Sequence, residues 1–210
     1  MIWLAGCGCG CLLVAAVVAI VGIAFLGWLG GNSKFVNSRD GLAGEPLNSY
    51  VDFSFEYPNT WTFEKTEPGG SNYAKVTHNN AAGSTLENLA ISYYHDNTPA
   101  GNNTLASQLL NDQLLPQLKT GFPNLTKLGE GPAKFGTLDA YEMRLESAFN
   151  DAESGIKTIW MRVILVKNPK SERGISVIMM GTNLSSQVKG IDSLGTGGDL
   201  KSIADSFQFR

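Results

Sequence analysis

The sequence predicts an α+β domain, a mostly antiparallel sheet with helices on both faces (an α/β/α sandwich), behind one N-terminal transmembrane helix. Three observations predict it. Residues 1–33 carry no charged side chain, and 12–29 is an unbroken apolar run. Several later segments alternate apolar and polar residues with the two-residue period of a half-buried strand. Two others, 159–166 and 175–180, are apolar almost throughout, as strands covered on both faces must be.

The apolar run comes first. At about 1.5 Å per residue, 18 residues approach the hydrocarbon core of about 30 Å. Eleven of them are Leu, Ile, Val or Phe, which together favour insertion by about 3 to 7 kcal/mol. Trp3 and Trp28 bracket the segment and suit the headgroup boundary, with a large apolar body and one N–H donor each. A cleaved secretory signal fits less well, because no Lys or Arg precedes Lys34 and the run exceeds a typical signal core. Leu4-Ala5-Gly6-Cys7 resembles a lipobox, yet only three residues precede it, too few for a signal core. Cys7, Cys9 and Cys11 alternate with glycine. Thiolate metal sites draw on two ligand pairs, and no second pair follows, so the alternation reads as small residues at a helix end. Gly6/Gly10 and Gly27/Gly31 have the four-residue spacing that lets two helices approach closely.

Residues 30–49 are rich in Gly, Asn and Ser without sustained periodicity, and predict a flexible linker. Residues 50–210 then form one soluble domain, about 160 residues being enough for one core. Within it Val51, Phe53 and Phe55 alternate with polar residues as a strand. Tyr57-Pro58-Asn59 ends that strand and 61–64 begins another, with Trp61 delivered into the core. Pro68-Gly69-Gly70 marks a turn, and 73–78 and 89–94 read as strands. Ala106, Leu109, Leu110, Leu114 and Leu118 line one face of a helix over 104–119, capped by Asn103 or Thr104. Pro116 removes an interior hydrogen bond, which predicts a kink or an early stop.

Residues 125–135 and 138–145 follow as strands. Tyr141, Met143 and Leu145 of the second alternate with Glu142, Arg144 and Glu146, so one face only is buried. The apolar strands 159–166 and 175–180 are central, and the short link through Glu172-Arg173-Gly174 favours antiparallel pairing. Asp199 caps a last helix with Leu200, Ile203, Ala204 and Phe207 on one face. The two helices provide the layers above and below the sheet.

Chemistry is sparse. The chain has 16 basic and 19 acidic residues, net −3, without a basic stripe. Nucleic acid binding therefore has no electrostatic footprint. The soluble part has no Cys, and so neither disulfides nor thiol chemistry. Only two His occur, His78 and His95. His78, His95 and Asp96 could converge at a sheet edge as metal ligands, but nothing in their spacing requires it, and solvated strand-end residues are the simpler reading. No Gly-x-Ser-x-Gly elbow and no acidic pair in an apolar setting is present. Gly195-Thr196-Gly197-Gly198-Asp199 lacks the Lys-Ser/Thr of a phosphate loop and reads as the lead into a helix. No catalytic, cofactor-binding or metal residue is assigned.

Three stretches carry a resemblance. Phe53-x-Phe55-x-Tyr57-Pro58-x-x-Trp61, the middle strands with Tyr141 and Trp160, and the closing Ile203-Ala204-Asp205-Ser206-Phe207-x-Phe209 are similar to PsbP-like domains over about residues 50–210. The resemblance implies an α/β/α sandwich and a non-enzymatic role. Family members are mostly accessory or assembly subunits of membrane complexes, or extracytoplasmic lipoproteins. No ligand residue carries over.

Two functions remain open. One is a membrane-anchored, non-catalytic interaction module, an accessory or assembly subunit whose partners are the lipid bilayer and other membrane-complex subunits. The other is a membrane-tethered domain for a small ligand or metal, motivated by His78, His95 and the polar loop at 95–104. On sidedness, Lys34 and Arg39 after the apolar run favour a cytoplasmic domain. The resemblance, the Gly/Asn-rich linker and the cysteine-free domain favour the extracytoplasmic side, which is the expectation adopted.

Overall fold

In the computed structural model, residues 31–38, 51–65, 72–93, 102–149, 152–171 and 174–210 are described. The apolar run 12–29, the three cysteines, linker residues 39–49, the turn at 68–70, His95, Asp96 and the link residues Glu172 and Arg173 lie outside them. Among the described residues no helix is long and apolar enough to cross a membrane.

Among the described residues, ten strands form two sheets. Strands β3 (Thr62–Lys65), β4 (Asn72–Asn79), β5 (Thr85–Tyr93), β6 (Leu125–Phe135), β7 (Leu138–Ala148), β8 (Thr158–Val166) and β9 (Ile175–Thr182) build a seven-stranded sheet in the order β3-β4-β5-β9-β8-β7-β6. Every neighbouring pair is antiparallel. The two apolar strands occupy the fourth and fifth places, so their neighbours and both covering layers exclude water from them. Strands β1 (Asn32–Asn37), β2 (Phe53–Pro58) and β10 (Gln208–Phe209) form a second sheet in the order β1-β2-β10.

Side-chain alternation divides the core in two. Met161, Val163 and Leu165 of β8 face one side, with Met143, Leu145 and Ile178, and meet Ala106, Leu109, Leu110 and Leu118. Those four residues belong to one long helical stretch, α1 (Asn103–Gln108), a π-helical turn (Leu109–Leu114) and α2 (Leu115–Gly121). Ile164 and Val166 face the other side, where the three-stranded sheet supplies Phe53 and Phe55, α3 (Gly198–Ser206) supplies Leu200 and Ile203, and Phe207 follows at the end of α3. The layer on that side is thus a sheet with a helix, where the sequence had suggested a helix alone.

The kink expected at Pro116 takes the form of the π-helical turn just before it. The Leu115 N–H reaches back to the Leu110 carbonyl, a five-residue step that widens the helix ahead of a residue with no N–H to give. Asn102, rather than Asn103 or Thr104, caps α1, its Oδ1 accepting from the Thr104 and Leu105 N–H groups at 3.0 and 3.3 Å. Asp199 does not cap α3. The cap position is Gly197, and the Gln187 Oε1 accepts from the Asp199 N–H at 3.0 Å.

The flexible-linker reading of 30–49 is corrected at 32–37. Those residues are β1, paired along its whole length with β2 from Asn32↔Pro58 to Asn37↔Phe53. Burial there runs against hydropathy: Val36 is 40 % exposed while Asn37 is buried, its Nδ2 donating to the Val51 carbonyl at 2.8 Å. Phe35 is its buried apolar side chain, while Asn37 is seated by a hydrogen bond, so no apolar period announces the strand. The aromatic opening segment also starts the small sheet, not the large one. Residues 58–61 are the corner between the two, closed by the Trp61 N–H on the Pro58 carbonyl at 2.9 Å.

Candidate functional site

The inner face shared by α3 and the small sheet is not uniform. Over β3, β4, β5 and β9 it is apolar except at the end where His78 lies opposite Glu87. Over β8, β7 and β6 it is apolar at one end, through Ile164, Val166 and Phe135, and at the other carries Trp160, Arg162, Glu142, Arg144 and Glu146, whose positions follow from register: Arg162 lies opposite Arg144, and Trp160 opposite Glu146. A lone Arg in an otherwise apolar strand needs a carboxylate partner, and the neighbouring strand provides it. Arg162 Nε and Nη2 both reach Glu142 Oε2, at 2.7 and 2.5 Å. Its Nη1 donates to the Leu194 carbonyl at 3.0 Å. The Arg162 and Glu142 side chains are 11 % and 15 % exposed, so the pair is largely desolvated and its geometry fixed.

Around this pair the groups open towards solvent. Arg144 Nη1 contacts Asp192 Oδ1 at 3.2 Å, and its Nε lies 3.8 Å from Glu142 Oε1. Its side chain is 40 % exposed and that of Asp192 87 %. Gly129, opposite Arg144, leaves room for the guanidinium, since a Cβ there would stand 3.1 Å from Arg144 Nη2. Trp160 is half-buried, its Nε1 donating to Glu146 Oε2 at 2.7 Å. The result is a preorganised patch of one indole, two guanidiniums and three carboxylates at the margin of the covering layer.

Glycine sets that margin. The loop after β9 packs onto Gly181, where a Cβ would meet Val188 Cγ2 at 2.8 Å. Gly195 has φ +70°, and a Cβ there would meet Met179 Sδ at 2.5 Å and Arg162 Nη1 at 3.1 Å. The glycine-rich segment 195–198 therefore brings the Leu194 carbonyl to Arg162 and leads into α3.

The residues weighed as metal ligands fall elsewhere. His78 is not a freely solvated strand end. It stacks on Trp61, with ring centroids 5.4 Å apart and planes 19° from parallel. Its buried Nδ1 and the buried Trp61 Nε1 have no hydrogen-bond partner among the described residues. Opposite His78 in the register lies Glu87, 2 % exposed, accepting from Ser185 Oγ at 2.5 Å. His95 and Asp96 lie outside the described residues. Among the described residues no group of three or more His, Cys, Asp or Glu could hold a metal ion.

On the opposite face, at the β6 edge, Glu130 accepts from Ser107 Oγ at 2.7 Å and Asn111 Nδ2 at 2.8 Å, with Lys127 Nζ at 3.0 Å. Burial raises the Glu130 carboxyl pKa, but those hydrogen bonds and the Lys127 charge outweigh it and hold it below its ordinary value of 4.5. Asp139, fully exposed, is also lowered, by its hydrogen bond to Lys134 and that residue's charge.

Comparison with solved structures bears on the fold. The solution structure of cyanobacterial PsbP (CyanoP) from Synechocystis sp. PCC 6803 matches with TM-score 0.50 and 11 % identity, over 92 % of this chain and 99 % of that one. The fold is PsbP-like. The Ran-binding protein Mog1p of Saccharomyces cerevisiae matches with TM-score 0.47 and 9 % identity, over 86 % of this chain and 96 % of that one. A Bacteroides thetaiotaomicron protein matches with TM-score 0.45 and 14 % identity, over 75 % of this chain and 45 % of that one. No family model matches the chain, and no curated protein is similar to it in sequence.

The sequence missed the polar patch as a unit. It placed Glu142, Arg144 and Glu146 on one strand face but assigned them to solvent. The overlooked signal was Arg162 inside the apolar strand, which demanded a partner from a neighbour.

Proposed function

We propose that this chain is a membrane-anchored, non-catalytic interaction module that serves as an accessory or assembly subunit of a membrane protein complex, with the domain on the extracytoplasmic side. One observation carries the reading: the open half of the sheet, where Trp160, Arg162 and Arg144 stand preorganised by Glu146, Glu142 and Asp192. Tryptophan and arginine dominate the energetics of protein interfaces, most of all where their geometry is set before binding. The PsbP-like fold is consistent with such a role. The uncharged run 12–29 supports the anchor. The sidedness rests on the resemblance and on the cysteine-free domain.

Gentle detergent extraction of native membranes tests the reading. The chain is expected to migrate with a larger complex and Arg144→Glu to release it as a folded monomer. A wild-type chain that is itself strictly monomeric contradicts the reading. Protease digestion of intact cells checks the sidedness, an extracytoplasmic domain being cut without lysis.

A further inference from the structure

We propose that one end of the domain seats directly on the lipid surface through three uncharged turns, an inference that rests on the anchor reading above. The strand β1 begins at Asn32, three peptide steps beyond the end of the apolar run at Leu29. Three steps span about 11 Å at most, so the start of β1 cannot stand far from a bilayer that holds Leu29.

Register fixes which end this is. Asn32 lies opposite Pro58, and the Asn59 N–H donates to the Gly31 carbonyl at 3.1 Å. The corner at 58–61 runs straight into β3, whose first residue Thr62 lies opposite Thr77 near the end of β4. The β4–β5 turn at 80–84 and the loop that starts at 183 after β9 therefore share that end.

Residues 58–61, 80–84 and 183–188 contain no charged side chain. Many of their backbone N–H groups are satisfied internally. Asn80 Oδ1 accepts from the Ala82 and Ser84 N–H groups at 3.0 and 2.9 Å, leaving the exposed Ala81 and Ala82 at the tip. Ser185 Oγ donates to Glu87 and accepts from the Gln187 and Val188 N–H groups at 3.1 and 3.2 Å. Turns built this way lose little on leaving water. Without carboxylates they also escape repulsion from anionic headgroups. Glu153, Lys157 and Lys189 are charged at this end but lie beyond these three turns.

The opposite end differs in kind. Lys134 and Asp139 flank its β6–β7 turn, Lys167 and Lys170 follow β8, and the Arg210 N–H bonds the Asp52 carbonyl at 3.0 Å. That end suits water, and the three uncharged turns of the first end suit the headgroup layer.

Full-length protein with Cys7, Cys9 and Cys11 replaced by Ser, reconstituted in phosphatidylcholine vesicles doped with headgroup-spin-labelled phosphatidylcholine, tests this. Bimane is attached at Ala82→Cys or, at the far end, at Thr137→Cys. Emission at Ala82→Cys should fall at least twofold and that at Thr137→Cys stay unchanged. Quenching at neither position, at both equally, or mainly at Thr137→Cys overturns the inference. Carbonate washing of the same vesicles separates the two ideas. A chain retained but unquenched at Ala82→Cys removes this inference alone, whereas a chain released removes the anchor and this inference with it.

Discussion

The two halves of one sheet face solve opposite problems. Over β3, β4, β5 and β9 the face is closed by aromatic packing. Phe53, fully buried, has Phe207 at 5.3 Å and Phe35 at 5.9 Å between ring centroids. Over β8, β7 and β6, beyond the buried Phe135, Ile164 and Val166 that belong to the closed part, the same face is held by charge pairs and stands partly open, with Arg144 40 % exposed. The closed half contributes stability through buried apolar area. The open half contributes little net stability, because desolvation offsets the attraction within its ion pairs, and instead fixes the direction of its side chains. Arg162 stands at the boundary between the two.

Substitutions can break this contrast, beginning with the largest effect. Phe53→Ala should lower stability by about 3–5 kcal/mol, as expected for a fully buried aromatic, read from thermal unfolding of the detergent-solubilised chain. Arg162→Ala leaves Glu142 without its main partner in a largely desolvated place, and about 2–3 kcal/mol should be lost. Double substitution with Glu142→Gln should recover part of it. Gly195→Ala, forced to φ +70° against Met179 and Arg162, should cost about 1–2 kcal/mol. Arg144→Ala should change stability by less than about 0.5 kcal/mol, since its ion pairs are exposed, while weakening partner binding.

The Glu130 cluster supplies a pH test on the other face. Its carboxyl pKa is lowered in the folded chain. The stability it contributes is therefore present above the unfolded value near 4.5 and lost as pH falls through the lower folded value. Melting temperature should drop on acidification below pH 4.5, and Glu130→Gln should flatten that drop while lowering stability at neutral pH.

What was legible in the sequence follows from where hydropathy decides structure. The central strands announced themselves because both faces are apolar, and β7 because only one is. The helix around 104–119 was legible from its stripe, and Pro116 marked its irregularity correctly in place if not in form. Strand β1 was hidden because Asn37 is buried and Val36 exposed: alternation turns Phe35 and Asn37 inward, and the Val51 carbonyl satisfies the Asn37 amide. The two-residue β10 is too short for any period to show. The open polar patch was illegible because it is assembled across β7, β8 and the loop at 190–195, and its pairings exist only in the register.

The most direct test of the central claim places a photo-crosslinking phenylalanine analogue at Arg144 on the open half-face, or at the exposed Gln113 of the long helix, in native membranes. The account predicts an adduct of higher mass from position 144 and none from 113. Adducts from 113 alone, or from neither position, would contradict the assignment of this half-face as the docking surface.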